Sequence, residues 1–218
     1  MTRRVLVAAL LAALLAGCGH AISGSATWPG AKLDRVLLTE ADFPPGVRYE
    51  RIVNDDSDRN VERPPAMLSR PDGCADALTR DIAVTAEWGP GSAAEYTVSY
   101  DGARMVITLL TWQLDLQRLA QTAQRCAEYV TFFEPTDPGI PITTTQLPSP
   151  RADALVYQQT MHLRGEDNSV YFAFENVGTM AVFGIAFPTP DSSISVKGSL
   201  PQTFLEITSR QAERARAL

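Results

Sequence analysis

Two runs of alternating apolar and polar residues flank the dipeptide Asp101-Gly102, and this pattern constrains the fold more than any other feature of the chain. The apolar members recur at every second position: Tyr96, Val98, Tyr100, Met105, Ile107 and Leu109. Period-two alternation is typical of a half-buried strand, and a two-residue Asp-Gly loop is the strongest short-range signal for a β-hairpin. The sequence therefore predicts an antiparallel pair of strands over residues 93–100 and 103–112.

Three strand-like runs nearer the C-terminus predict an antiparallel meander. They cover residues 154–164, 169–177 and 179–187, and short turn-forming segments separate them. The predicted core positions of this meander are Leu155, Tyr157, Met161, Leu163, Val170, Phe172 and Phe174. A weaker alternating run over residues 47–53 adds one more strand.

Apolar residues at helical spacing predict four helices. One covers residues 33–38, a second opens at Cys74 and reaches residue 84, and one near the C-terminus contains Phe204 and Ile207. The clearest amphipathic pattern follows the hairpin: Leu116, Leu119, Ala120, Ala123, Ala127 and Val130. The fold class is therefore α+β, with a twisted antiparallel sheet of about five to seven strands packed against helices in one domain.

Turn-forming residues mark three connections between these elements. Residues 54–73 and 188–199 are expected to be surface loops. Residues 134–153 contain five prolines, which disfavour a central strand or a helix because proline has no backbone N–H. We expect a long connection there, in which the threonines are compatible with an edge strand.

The N-terminus has the features of an export signal. Arg3 and Arg4 precede the uninterrupted apolar residues 5–16. A helix of that length rises roughly 18 Å, whereas the hydrocarbon core of a bilayer is about 30 Å thick. The segment is therefore too short to span a membrane and is predicted to be a cleaved leader.

Residues 15–18, Leu-Ala-Gly-Cys, resemble the lipobox of bacterial lipoproteins, in which the thiol is acylated and the chain is cut just before it. Cys18 is then the lipidated N-terminus, with two acyl chains that hold it at the membrane. The alternative is an ordinary secretory signal with a coincidental cysteine. The predicted organisation is a signal peptide over 1–17, a lipidated flexible tether over 18–30 and one globular domain over 31–218, exported and anchored to the outer face of the cell membrane.

The other two cysteines, Cys74 and Cys126, form an even pair in an oxidising compartment, which favours a disulfide over two buried free thiols. A zinc site is disfavoured, because no CxxC or HxxxH spacing occurs and the chain has only two histidines, His20 and His162. The formal net charge of -6 disfavours a nucleic-acid partner, since neutralising phosphates requires a basic surface. We expect neither a metal nor a cofactor.

The chain carries no GxSxG, HExxH, P-loop or GxGxxG motif. A Ser-His-Asp triad would have to use His162, which the alternation places among the polar, solvent-facing positions of its strand. Residues 56–60 imitate the first half of an EF-hand loop, but Val61 stands where a glycine is required and Met67 where a bidentate glutamate is required. A solvated loop is therefore expected instead of a calcium site.

The order of these elements is similar to that of a known family. The elements concerned are the first helix with Leu37-Leu38-Thr39, the following Phe43-Pro44-Pro45-Gly46, the two cysteine-bearing helices, the hairpin and the meander. In these elements the chain resembles the extracellular sensor domain of certain mycobacterial serine/threonine kinases. That domain also occurs in stand-alone mycobacterial lipoproteins. The resemblance covers residues 31–214 and implies a twisted antiparallel sheet packed with helices around a ligand-binding cleft. The chain departs from the kinase domains in having one cysteine pair where they have two.

Together these features favour a non-catalytic, membrane-tethered lipoprotein of the cell envelope that binds a ligand or a protein in the manner of a sensor domain. Its expected partners are the membrane, through the lipid, and a small molecule, a lipid or an envelope protein. The expected binding surface combines segment 134–153 with aromatic residues of adjacent strands, which are otherwise core: Tyr157, Tyr171, Phe172, Phe174 and Phe183.

Two other functions compete with this hypothesis. A lipid or glycolipid carrier would need an apolar cavity larger than the ~300–1,000 Å³ of an ordinary small-molecule pocket. A hydrolase comes third, and it would need His162 or a pair of acidic residues in a cleft.

We predict that replacing Cys18 by alanine releases the protein from membranes, because the leader alone is too short to span a bilayer. Partitioning of the full chain between detergent and aqueous phases measures this. The unchanged protein should enter the detergent phase and the Cys18→Ala variant the aqueous phase. Equal partitioning of the two proteins into detergent would show that the lipid-anchor hypothesis is wrong.

Overall fold

The computed structural model of the chain describes residues 29–53, 67–80, 82–83, 91–149 and 151–217. The predicted leader, Cys18, His20 and the EF-hand-like residues 56–60 lie outside the described residues. The strands are β1 (Arg48–Ile52), β2 (Leu68–Arg70), β3 (Ala93–Tyr100), β4 (Ala103–Leu110), β5 (Glu128–Phe132), β6 (Ile140–Leu147), β7 (Ala154–Leu163), β8 (Glu166–Val177) and β9 (Met180–Phe187). The helices are α1 (Pro29–Val36), α2 (Leu116–Arg125) and α3 (Gln202–Arg216).

The nine strands form one antiparallel sheet in the order β1-β3-β4-β9-β8-β7-β6-β5-β2. The predicted α+β class and single domain are confirmed, but the expected number of strands was too low. The hairpin at Asp101-Gly102 and the three-stranded meander form as predicted. The C-terminal helix is also confirmed, as α3.

The prediction that the amphipathic helix continues to Val130 is wrong. Helix α2 ends at Arg125, and residues 128–132 form β5 between β2 and β6. Its residues include Tyr129, Val130 and Phe132, which are aromatic or β-branched and therefore suit a strand. The helical spacing of Ala127 and Val130 was coincidental, because pairing with strands distant in sequence decides the conformation here.

The prediction of a long connection over 134–153 is wrong at its centre. Its threonines do lie in a strand, as the sequence allowed, but that strand is internal and does not form an edge of the sheet. Residues 140–147 form β6, which lies inside the sheet and pairs with both β5 and β7. Pro141 lies opposite Val130 of β5 and precedes the stretch of β6 that pairs with β7. A residue without a backbone N–H is tolerated at this end of the strand.

Helices cover parts of both faces of the sheet. Helices α1 and α3 pack on the face that bears Val98, Ile107 and Val182, which we call the α3 face. Helix α2 packs on the opposite face, the α2 face, where Phe174 and Phe183 are buried. The predicted core positions of the meander belong to the α2 face, although Leu163 at the end of β7 is exposed. No helix in the described ranges is long and apolar enough to cross a membrane.

Cys74 and Cys126 form a disulfide, as predicted. It joins the end of α2 to the segment after β2, and the Ser69 hydroxyl accepts a hydrogen bond from the Cys74 backbone N–H at 2.8 Å. The helix predicted to begin at Cys74 begins later in the structure. Residues 75–79 form turns, and helical geometry begins only at Arg80.

Helix α3 is held to its neighbours by close packing and by buried hydrogen bonds. Gly184 of β9 lies so close to α3 that an added Cβ would stand 2.8 Å from Cε2 of Phe204. The fully buried amide of Gln211 accepts a hydrogen bond from the Leu38 backbone N–H at 3.0 Å and donates one to the Val36 carbonyl at 2.7 Å. These contacts fix α3 to the sheet and to the end of α1.

Asp42, in a 3-10 turn over Glu40–Asp42, ties this part of the chain to α3. Its carboxylate accepts hydrogen bonds from the Thr39 backbone N–H at 2.7 Å and the Thr39 hydroxyl at 2.9 Å, and it forms a salt bridge with Arg214 at 2.6 Å. Burial raises the pKa of Asp42, but the bonds from Thr39 and the charge of Arg214 outweigh burial and hold that pKa below its ordinary value of 3.8.

We predict a pH-dependent contribution of Asp42 to stability. Because its pKa is lower in the folded than in the unfolded chain, the ionised carboxylate stabilises the fold above pH 3.8, and this contribution is lost as the pH falls through the folded-state pKa. Asp42→Asn should lower the free energy of unfolding by about 1 kcal/mol at neutral pH, an amount reduced by partial solvent exposure. The difference should shrink in acid.

Urea unfolding at a series of pH values measures this difference. Arg214→Gln removes the partner charge and should weaken the same pH dependence. If Asp42→Asn and the unchanged protein differed by a constant amount from neutral to acid pH, the assignment to the ionised carboxylate would be wrong.

Candidate functional site

The binding surface expected from the sequence does not form. The aromatic residues of the meander are core: Tyr157, Tyr171, Phe172, Phe174 and Phe183 are each at most 8% exposed. Segment 134–153 does not overhang the sheet, since its central part is the internal strand β6. A different set of residues therefore provides the candidate site.

A cavity lies beneath α3, between Val156 and Ala173 of the sheet and Leu205 and Thr208 of the helix. Its volume is about 10 Å³. That space is near the minimum needed for a single water molecule. This cavity therefore holds neither an acyl chain nor a drug-sized ligand.

A cluster of ionic side chains fastens the C-terminal end of α3 next to this cavity. Glu175 of β8 is buried and forms salt bridges with Arg151, at 3.0 Å, and with Arg216 of α3. Arg151 also bonds to Glu213 of α3 at 2.8 Å. Because each charge has an ionic partner, the cluster is explained by its role in holding the helix.

The candidate site is a row of polar side chains on the α3 face, where β6, β7 and β8 continue past the residues that α3 contacts. We call it the polar strip: Thr143, Thr145, Gln158, Thr160, His162, Asp167 and Ser169. Period-two alternation puts these residues on one face, and the register pairs them across strands. Thr143 is opposite Thr160, and His162 is opposite Asp167.

Gln158 and Ser169 form the centre of the polar strip. The Gln158 side-chain amide donates a hydrogen bond to the Ser169 hydroxyl at 2.8 Å and a longer one to the Thr160 hydroxyl at 3.4 Å. The Thr160 and Ser169 hydroxyls are 3.2 Å apart. All three side chains are half-buried. Their mutual bonds restrict the rotamers they adopt.

At the other end of the strip, His162 of β7 contacts side chains on both neighbouring strands, β6 and β8. Its Nδ1 is 2.7 Å from a carboxylate oxygen of Asp167 on β8, and its Nε2 is 3.4 Å from the Thr143 hydroxyl on β6. The imidazole is 40% exposed and the Asp167 side chain 68% exposed. A carboxylate only accepts hydrogen bonds, so in the neutral imidazole Nδ1 carries the proton and Nε2 accepts from the threonine hydroxyl.

Only part of this arrangement could be predicted from the sequence. The prediction that His162 is a solvent-facing strand residue is confirmed. Thr143 and Asp167 were missed as its partners, because Thr143 lies in the segment predicted to be a connection and Asp167 in one predicted to be a loop. The β-branched run over residues 142–145 is a signal that favours a strand around Thr143. Asp167 has no such signal, since residues 166–169 are all polar.

The order of hydroxyl, imidazole and carboxylate is that of an acyl-transfer triad, but the backbone N–H groups of these strands have another role. Acyl transfer needs hydrogen-bond donors that point at the developing oxyanion. In β6, β7 and β8 the backbone N–H groups lie in the plane of the sheet and bond to neighbouring strands. These N–H groups therefore do not point out of the sheet toward the place where an oxyanion would form next to the Thr143 hydroxyl. Among the described residues, no group of three His, Cys, Asp or Glu side chains is placed to hold a metal ion.

The fold belongs to the class of single-domain α+β proteins built on one twisted antiparallel sheet. The extracellular domain of PknH from Mycobacterium tuberculosis has a similar fold, with a TM-score of 0.54 and 14% identity over 85% of this chain and 95% of that chain. An uncharacterised protein from Mycobacterium smegmatis, the Rv0999 ortholog, aligns with a TM-score of 0.48 and 15% identity over 86% of this chain and 96% of that chain.

No protein-family profile and no curated protein matches the chain. The resemblance to kinase sensor domains that the sequence predicts is confirmed at the level of the fold.

We predict that the His162 imidazole at pH 8 carries its proton on Nδ1, because Asp167 only accepts hydrogen bonds. Long-range ¹H–¹⁵N NMR correlations distinguish the two tautomers, and a His20→Gln background leaves His162 as the only imidazole. In Asp167→Ala the acceptor is gone and the Nε2-protonated form should increase. The exposed Asp72→Ala should leave the spectrum unchanged. Nε2 protonation in the unchanged protein would contradict the hydrogen bond to Asp167.

Proposed function

We propose that the protein is a non-catalytic lipoprotein of the cell envelope that binds a ligand or a partner protein in the manner of a sensor domain. The observation that carries the proposal is the fold, which is similar to that of a domain described as extracellular, the extracellular domain of PknH. The leader and the lipobox in the sequence support the same location. In this proposal the chain is exported, and the lipid on Cys18 anchors it to the outer face of the cell membrane.

The polar strip supports binding as the activity of the domain. Its side chains are partly solvent-accessible and are linked by hydrogen bonds across three paired strands. A surface whose side chains are already ordered loses less conformational entropy when a ligand binds. The strip therefore offers hydrogen-bonding groups in a fixed arrangement, which is what selective recognition requires.

The two competing functions have less support. A carrier of lipid or glycolipid needs a large apolar cavity, and the cavity of about 10 Å³ beneath α3 does not supply one. A hydrolase could use His162, but the in-plane backbone N–H groups around Thr143 provide no oxyanion site. Purified protein that arrived with stoichiometric lipid would support the carrier.

We predict that the full chain does not turn over esters, glycosides or peptides through His162. The test compares the unchanged protein with His162→Ala and with the control Gln159→Met, whose side chain lies on the opposite face of the same strand. We expect all three proteins to show the same background rate. Turnover that disappears in His162→Ala and persists in Gln159→Met would overturn the non-catalytic proposal.

A further inference from the structure

We propose that the polar strip binds a neutral, polyhydroxylated ligand, namely a saccharide chain. The inference rests on the proposed binding function and specifies the chemistry of the ligand. It follows from the types of group in the strip, from the charges beside it and from the spacing of the strands that carry it.

The strip presents groups that both donate and accept hydrogen bonds. Hydroxyl groups dominate it, accompanied by the amide of Gln158, the imidazole of His162 and the carboxylate of Asp167. A hydroxyl donates one hydrogen bond and accepts up to two, and an amide does both through separate atoms. Saccharide hydroxyls have the same dual capacity. The strip can therefore both donate hydrogen bonds to ligand hydroxyls and accept hydrogen bonds from them.

The charges of the strip disfavour an anionic ligand. The seven residues include no lysine or arginine, and Asp167 is negatively charged when ionised. Glu128 of β5 lies opposite Thr143 on the same face and adds a second carboxylate. Arg70 of β2 is directed to the ring of Phe132, with its guanidinium carbon 5.1 Å from the ring centroid. Phosphate binding normally requires cationic or backbone N–H donors. Strands β6, β7 and β8 contain no lysine or arginine, and their backbone N–H groups bond to neighbouring strands.

The polarity of the strip also disfavours an apolar ligand. Its seven members are all polar, and the large aromatic residues at its border, Tyr171 and Phe132, are buried. Acyl chains and amphipathic helices bind by covering exposed apolar area. Such area is not offered by the described residues of the strip, whereas a neutral polyol gains hydrogen bonds there without the cost of desolvating an uncompensated charge.

The spacing of the polar groups suits an extended ligand. Neighbouring strands lie about 4.8 Å apart, and side chains on one face recur about every 6.7 Å along a strand. Thr143, Thr160 and Ser169 therefore form a row across three strands, and Thr145 and Gln158 form part of the next row. A chain of sugar rings that lies across the strands can contact both rows.

The test uses the full chain in a sugar-free zwitterionic detergent and NMR titration of the Gln158 side-chain amide and the His162 imidazole. The probes are maltohexaose and chitohexaose as neutral oligosaccharides, with inorganic phosphate and phosphatidylglycerol added to the detergent micelles as anionic alternatives. We expect an oligosaccharide at millimolar concentration to shift both signals, while the anionic probes leave them unchanged.

Matched double variants locate the binding site on one face. Thr143→Val with Gln158→Met removes a hydroxyl and an amide from the strip and should weaken oligosaccharide binding about tenfold or more. Thr144→Val with Gln159→Met makes the same changes at neighbouring positions on the α2 face and should keep the affinity within about twofold. Thr143→Ser retains the hydroxyl and should retain binding. Far-UV circular dichroism confirms that each variant is folded.

Three results would overturn the inference. One is the absence of oligosaccharide binding by the unchanged protein, and another is equal loss of binding in both double variants. The third is a shift of the Gln158 signal by phosphate or phosphatidylglycerol but not by sugars, which would leave the proposed binding function standing. The proposed function fails separately, if the His162-dependent turnover described above is observed.

Discussion

The antiparallel register between β7 and β8 is the constraint on which both the core and the candidate site depend. The register places Phe174 opposite Leu155, and His162 opposite Asp167. Because side chains alternate strictly between faces, one register fixes the aromatic core under α2 and the polar strip on the α3 face at once. A slip of one residue would bury Gln158 and expose Tyr157. The apolar side of these two strands therefore maintains the geometry of the polar side.

Helix α3 sets the boundary between core and surface on its face. The position of α3 along β8 and β9 is fixed by three contacts. They are the close approach at Gly184, the buried amide of Gln211 and the ion pairs of Glu175. Its residues cover Val156 and Ala173. The polar strip begins just beyond them. The strip is thus a part of the sheet that helix α3 leaves uncovered, and its polar sequence suits a surface on which none of the three described helices packs.

Local signals in the sequence predicted the elements that need only neighbouring residues. Asp101-Gly102 defined its hairpin, and the alternation over 154–187 defined the meander. Strand β5 was missed, and β6 was expected to be a connection with at most an edge strand. The conformation of both strands depends on partners distant in sequence. Val130 and Pro141 belong to paired strands only because β2 and β7 stand on either side. The same error hid the site, since Thr143 lies in β6.

The arrangement around His162 shows that the environment of a group, more than its identity, determines the chemistry available to it. The imidazole has a carboxylate on one side and a hydroxyl on the other, as in a triad. In an open sheet, however, the backbone donors that would stabilise a transition state are committed to neighbouring strands. The side chains of the strip form a hydrogen-bonded set of donors and acceptors at the surface. Such a set can discriminate among ligands by the positions of their hydroxyls, because each mismatch would leave a partner unsatisfied.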